Sequence, residues 1–248
     1  MFGYEYIDKM AGHSCEVLPL SEINNDDGGP YLQLTRADDA TLPAGFLRLW
    51  QGDGQHWIDR MIHFRLQSDP VDTQLFFLFG RSDSAMPHFH AQVVQFAPDA
   101  CVYNADFLPR LDPVEHPDYF TEVFTPLNKP YWKAISDTAN ICALAPASPA
   151  IATYLSDWSI GTGRPTNKAE LERVTPQIDA FLDYCLQLGT NLSYTNIDTE
   201  ATRERNRKHL DIFFSDKLDP RAWKGVYSVI GEEAGKQIKQ IFKTDILD

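Results

Sequence analysis

The stretch AMPHFHAQVVQF, residues 85–96, sets His88, His90 and Gln92 at alternate positions. On a β-strand that spacing sends all three side chains to one face and Phe89, Ala91 and Val93 to the other. Two imidazoles and an amide on one sheet face can form a metal site, an acid–base site or a solvated surface. A third metal ligand is not evident nearby, and a hydrogen-bonded pair is the more ordinary role of a lone HxH, so no metal is assigned. In RMIHFRL, Ile62, Phe64 and Leu66 alternate with Met61, His63, Arg65 and Gln67, so His63 shares a face with polar neighbours, as it would on a half-solvated sheet. Asp211 and Asp216 flank IFFS after a segment rich in Arg and Lys. SDKLDP reads as a helix-to-helix turn, from which a side chain can reach over a sheet. The dinucleotide, P-loop, zincin and nucleophile-elbow signatures do not occur.

The elements that must hold these residues are strands first and helices afterwards. Segments 45–51, 61–67, 73–80, 88–96 and 100–108 are short, rich in branched and aromatic residues, and bounded by Gly, Asp, Ser and Pro. Their short connections predict a meander of antiparallel neighbours, with one more strand within 30–42. In the second half, 116–136 is interrupted by Pro126 and Pro130 and predicts two short helices. Residues 167–189 carry a helical stripe that ends in Gly189 and should kink at Pro176. Residues 198–218 and 220–242 give two further helices, the second broken near Gly231. The pattern implies an α+β fold: an α/β/α sandwich with a central antiparallel sheet flanked by helices. One domain over residues 1–248 is expected, with 1–30 an N-terminal extension of uncertain structure.

With 43% hydrophobic residues and no apolar run of about 18, the 248-residue chain reads as a globular protein without a membrane span. The start lacks the features of a signal or transit peptide. Cys15, Cys101, Cys142 and Cys185 contain no CxxC pair and fit reduced thiols, so a cytoplasmic location is expected. A net charge of −13 argues against nucleic acid as the main partner. The charge is uneven: ten Lys and Arg against six Asp and Glu lie between Arg203 and Lys243. Such a tail is either a solvated helical face or a docking surface for a small acidic protein.

In their order and spacing, RMIHFRLQ, LFFLFG, PHFHAQVV and VYNADFLP resemble consecutive strands of the ferredoxin-dependent bilin reductases, from about residue 30 onwards. FLPRLDPVEHPDYF is similar to the wording of their plant relative, red chlorophyll catabolite reductase. SDKLDPRAWKGVYSVIGEEAGKQIKQIF resembles the bilin-reductase end. The resemblance implies that an open-chain tetrapyrrole lies between the sheet and the C-terminal helices. It implies no bound metal or flavin; reduced ferredoxin delivers single electrons and side chains supply protons. Such chemistry needs an acid whose pKa is lifted in a desolvated site.

Carried over residue by residue, the resemblance gives Asp216 as the essential acid of the C-terminal loop, with His63, retained as a strand histidine, assisting in catalysis. The sheet carboxylate of the family falls at Gln92, which can hydrogen-bond the pigment but not protonate it. A further family histidine falls at Leu75, and the propionate-binding Arg falls near Ala145. His90, on the face of Gln92, is then a proton donor with an imidazole pKa near 6.5, and His88 reaches the pigment edge. Asp106, Arg65, Arg207 and Phe214 join Gln92, His88 and Leu75 as expected substrate contacts, with Arg60 and Arg203 as further cations for propionates. Lys217, Arg221 and Lys224 are the expected ferredoxin contacts. The implied reaction is ferredoxin-dependent reduction of biliverdin to a phycobilin. The changes at Gln92, Leu75 and Ala145 leave open a bilin carrier without catalysis, and the PHF and HPDY wording leaves open a chlorophyll-derived bilin as substrate.

Overall fold

The computed structural model describes residues 1–137, 149–162, 164–192 and 197–247. Its centre is an antiparallel sheet of eight strands: β1 (Ser21–Ile23), β2 (Leu32–Thr35), β3 (Pro43–Gln51), β4 (Ile58–Ser68), β5 (Val71–Gly80), β6 (His88–Ala97), β7 (Ala100–Leu108) and β8 (Ile160–Gly161). β3 to β8 pair in chain order, as the short connections require, while β2 and β1 share the outer edge of β3. The helices are α1 (Phe2–Val17), α2 (Pro117–Val123), α3 (Asn128–Asp137), α4 (Pro149–Ala152), α5 (Lys168–Asn191), α6 (Thr199–Phe213), α7 (Pro220–Ile230) and α8 (Glu232–Lys243). Sheet and helices form the expected α/β/α arrangement.

Strand alternation divides the apolar side chains into two cores. Met61, Phe76, Leu78, Phe89, Ala91, Tyr103 and Phe107 pack beneath α1, α2, α3 and α5. Ile62, Phe64, Phe77, Phe79 and Leu108 pack beneath α6, α7 and α8, around a cluster in which Phe214 stacks on Phe242 at 4.7 Å. The segment 1–30, expected as an extension of uncertain structure, carries α1 and β1, and α1 buries Ile7, Met10 and Ala11 in the first core.

Helix boundaries follow their caps. The side chains of Asn167, Asp198 and Asp219 accept the N–H of Glu170, Ala201 and Ala222 and start α5, α6 and α7; each such cap is worth about 1 kcal/mol. Pro126 and Pro130 divide the 116–136 segment into α2, a 3₁₀ turn (Thr125–Leu127) and α3. α5 continues through Pro176 and beyond Gly189. Gly189 permits close approach instead of ending the helix, because a Cβ there would stand 1.7 Å from the Trp57 indole nitrogen. Gly231, with φ of +85°, separates α7 from α8, a backbone conformation that side-chain-bearing residues rarely adopt. No helix among the described residues is long and apolar enough to cross a membrane.

Candidate functional site

β4 to β7 present two rows of side chains to the α6–α8 face. In the upper row Ile62, Phe77, His90 and Asp106 are consecutive cross-strand partners; in the lower row Phe64, Leu75, Gln92 and Asn104 are. Partners directly opposite each other have Cβ atoms about 5 Å apart. His90 and Asp106 are thus adjacent, at 5% and 0% exposure, while Leu75 and Gln92 are half-buried. His88 lies one row further on.

His88 is a structural histidine. Its Nδ1 accepts the Gly80 N–H at 3.1 Å and its Nε2 donates to Asn206 Oδ1 at 2.7 Å, joining β5, β6 and α6. Both nitrogens are used, so the HxH pair does not chelate. His90 stacks on Phe77 at 4.4 Å and meets Phe213 edge-on at 6.1 Å, and its Nδ1 is buried without a hydrogen-bond partner among the described residues. Burial lowers its pKa to about 3, with only partial opposition from a hydrogen bond to the Asn104 side chain. His90 is therefore neutral at physiological pH, and the expected imidazolium donor is not present here: a ring between Phe77 and Phe213 has no solvent to stabilise the charge.

Burial acts oppositely on Asp106. Removal from water pushes its carboxyl up to about 7, although Ser156 and the Phe107 N–H donate to it. Ser156 Oγ lies 2.5 Å and Ser156 N 3.0 Å from the carboxylate, and Phe107 N 2.8 Å. An acid with a pKa near 7 is matched to proton transfer at neutral pH.

The segment 153–159, between α4 and β8, closes this side and was not singled out in the sequence. Besides Ser156, its Ser159 Oγ accepts from Asn104 Nδ2 at 2.6 Å, and the Tyr154 carbonyl accepts from His209 Nε2 at 3.2 Å. His209 is also new to the site. Its ring stands 6.0 Å from Phe213, and burial lowers its pKa to about 4. A readable signal existed, because Asn206, His209 and Phe213 follow the three- and four-residue spacing of a single helix face.

Several expected residues are elsewhere. His63 points to the opposite face, beneath α1, where Nε2 donates to Gln74 Oε1 at 2.9 Å and the ring stacks on Tyr4. Arg65 lies on that face too, gripping Asp72 with two hydrogen bonds of 3.2 and 2.8 Å. One residue along a strand reverses the face, and Ile62 and Phe64 are the β4 residues that share the face of His90. Arg207 is exposed and engaged by Glu204 and Asp211. Phe214 is core, stacked on Phe242, and its neighbour Phe213 is the ring that faces His90. Arg60 is buried against Asp59 and Asp245, and Arg203 Nε donates to Ser82 Oγ at 3.3 Å. Ala145 lies outside the described residues.

Asp216 sits on the turn between α6 and α7 with its side chain 56% exposed. It accepts hydrogen bonds from Tyr227 of α7 and Lys239 of α8, and the Lys239 ammonium lies over the Trp223 and Tyr227 rings. Lys239 holds the Asp216 carboxyl below its usual range. The expected essential acid is thus ionised here, on the helical layer and not on the sheet. Lys217, Arg221 and Lys224 are exposed on the same turn and on α7. Two clefts of about 510 Å³ lie elsewhere, one beside Phe2, Gln95 and Lys168, the other beside Trp57, Arg81 and Leu192.

No protein-family model matches the chain, and no curated protein does. Among solved structures, phytochromobilin synthase from tomato in complex with biliverdin superposes with a TM-score of 0.75 at 16% sequence identity, over 98% of this chain and 82% of that one. The fold is therefore that of a bilin reductase, and the resemblance read from the strand order holds at that level.

Proposed function

We propose that the chain binds a linear tetrapyrrole, biliverdin in the first instance, between β4–β7 and α6–α8, and reduces it with single electrons from ferredoxin. The observation that carries this reading is Asp106: a buried carboxyl with a pKa of about 7, opposite His90 on the face covered by the C-terminal helices. Reduction of a conjugated pigment needs a proton for each electron, and an acid that is about half protonated at neutral pH can supply one. Asp106 is the proposed donor. Ser156 holds the carboxyl in place, and the carboxylate takes up a proton from solvent after each transfer, so that every electron is matched by a proton before product leaves. Neutral His90 and the Gln92 amide orient the pigment rings by hydrogen bonding. Leu75 and Phe213 offer apolar surface to its conjugated plane. The basic residues Lys217, Arg221 and Lys224 suit the approach of an acidic electron carrier.

The shared fold with a biliverdin-bound structure supports the pigment class. The test is to follow the absorption spectrum of a protein–biliverdin mixture before and after adding ferredoxin and an electron source. Binding shifts the pigment bands, and turnover converts them to those of a less conjugated product. A shifted spectrum that reduced ferredoxin leaves unchanged refutes the reductase and leaves a bilin carrier. Conversion of a chlorophyll-derived bilin alone would reassign the substrate.

A further inference from the structure

His90 and His209 stand edge-on to one phenyl ring, Phe213, at 6.1 and 6.0 Å. Each is at least nine-tenths buried, and each has a buried Nδ1 without a hydrogen-bond partner among the described residues. For His209 the proton position is fixed. Its Nε2 faces the Tyr154 carbonyl, which can only accept, so Nε2 carries the hydrogen and Nδ1 presents a lone pair. The Asn104 side chain, whose nitrogen is committed to Ser159 Oγ, offers only its oxygen to His90; with His90 in the Nε2–H tautomer, its unpartnered Nδ1 is a lone pair as well.

Two buried acceptors without donors are unfavourable in the free protein, and a ligand that brings N–H groups relieves both. A carbonyl oxygen or a carboxylate would instead meet lone pair with lone pair.

We propose that His90 and His209 form a two-point seat for the ring N–H groups of a polypyrrole, and that Phe213 occupies the seat until ligand displaces it. The seat deepens the pigment-binding reading above and rests on it. It assigns to α6 a binding residue, His209, and makes N–H donation, not lactam carbonyl recognition, the feature by which this part of the site selects its ligand. Phe213 is half-buried and ends α6, next to the turn that leads to α7.

The test uses the full chain labelled with ¹⁵N at histidine, titrated with biliverdin and followed by absorbance and by long-range ¹H–¹⁵N spectra of the imidazoles. The expected result is a pigment band shift accompanied by movement of the Nδ1 signals of both His90 and His209 away from the lone-pair position. Loss of one such hydrogen bond in His209→Leu weakens biliverdin about three- to tenfold, and Phe213→Ala speeds association severalfold. A band shift in which the His209 Nδ1 signal stays in place overturns the seat and leaves pigment binding intact. Absence of any band shift overturns the pigment reading and the seat with it. An unchanged association rate in Phe213→Ala overturns the role of Phe213 as occupant.

Discussion

Replacing Asp106 by Asn tests whether the sheet carboxyl is the desolvated acid. The folded-state pKa is about 7, against about 3.9 for an unfolded chain. The folded protein therefore binds a proton that the unfolded chain releases between those values. Its stabilising effect is fully present below about pH 4 and is lost as pH rises through 7. At about 1.4 kcal/mol per pH unit, Asp106 lowers stability by about 3 kcal/mol between pH 5 and pH 8. Asn keeps the shape but cannot ionise. It also turns its amide nitrogen toward one of the present donors, the Ser156 N–H at 3.0 Å or the Ser156 Oγ–Phe107 N pair, costing about 1–3 kcal/mol at every pH.

The Asn variant should accordingly be less stable than wild type at pH 5 and equal or more stable at pH 8. Urea unfolding at both pH values measures this, and subtracting the two proteins cancels the titration of buried His63, His88, His90 and His209. A stability difference that stays constant from pH 5 to pH 8 refutes the lifted pKa and, with it, the assignment of Asp106 as a neutral-pH donor.

His63→Leu should cost about 1–3 kcal/mol by leaving the buried Gln74 carbonyl without its donor, while the spectrum of bound biliverdin stays that of wild type; a changed spectrum would place His63 in contact with the pigment. Ending the chain after Lys243 removes Asp245 from buried Arg60 and the Ile246 and Leu247 N–H groups from Asp59, and should cost about 3–5 kcal/mol in urea unfolding. Changing Lys217, Arg221 and Lys224 together to Glu should slow ferredoxin-driven reduction about tenfold or more at low ionic strength, leave biliverdin affinity unchanged, and flatten the salt dependence of the rate.

The strands were legible because 61–67, 73–80 and 88–96 are rich in branched and aromatic residues between turn-forming ones, and α6–α8 because their caps and Gly231 mark the ends. α1 was not. Its buried stripe is Gly3, Ile7, Met10, Ala11 and Ser14, in which only two residues are large and apolar, so the helical period is faint. At the site, alternation put His88, His90 and Gln92 on one face and set His63 opposite Ile62 and Phe64. It could not say which face the C-terminal helices cover, since both faces of this sheet are buried. The pairing of His90 with Asp106 was hidden for a different reason. Counting back from the turn pair Ala97 and Ala100 sets Phe107 opposite His90. An irregularity between Gln95 and Ala97 moves the register by one residue and brings Asp106 there instead. Such a shift reverses the face of every side chain beyond it, and sequence spacing does not record it.

Asp106 and Asp216 are then two carboxyls driven in opposite directions by their surroundings. Asp216 is bathed by solvent and held by the Lys239 ammonium, so its proton is gone at neutral pH. Among the described residues no cation pairs with Asp106, and its own hydrogen bonds do not offset the loss of water. Where two acids are separated in this way, the one with the lifted pKa can act as donor and the other remains a fixed negative charge. The same desolvation neutralises His88, His90 and His209. Among the described residues, the sheet under α6 therefore offers a protonatable carboxyl, Asp106, beside uncharged imidazoles. On the proposed reading, a conjugated pigment that gained an electron there would become a strong base, and Asp106 would be the acid beside it.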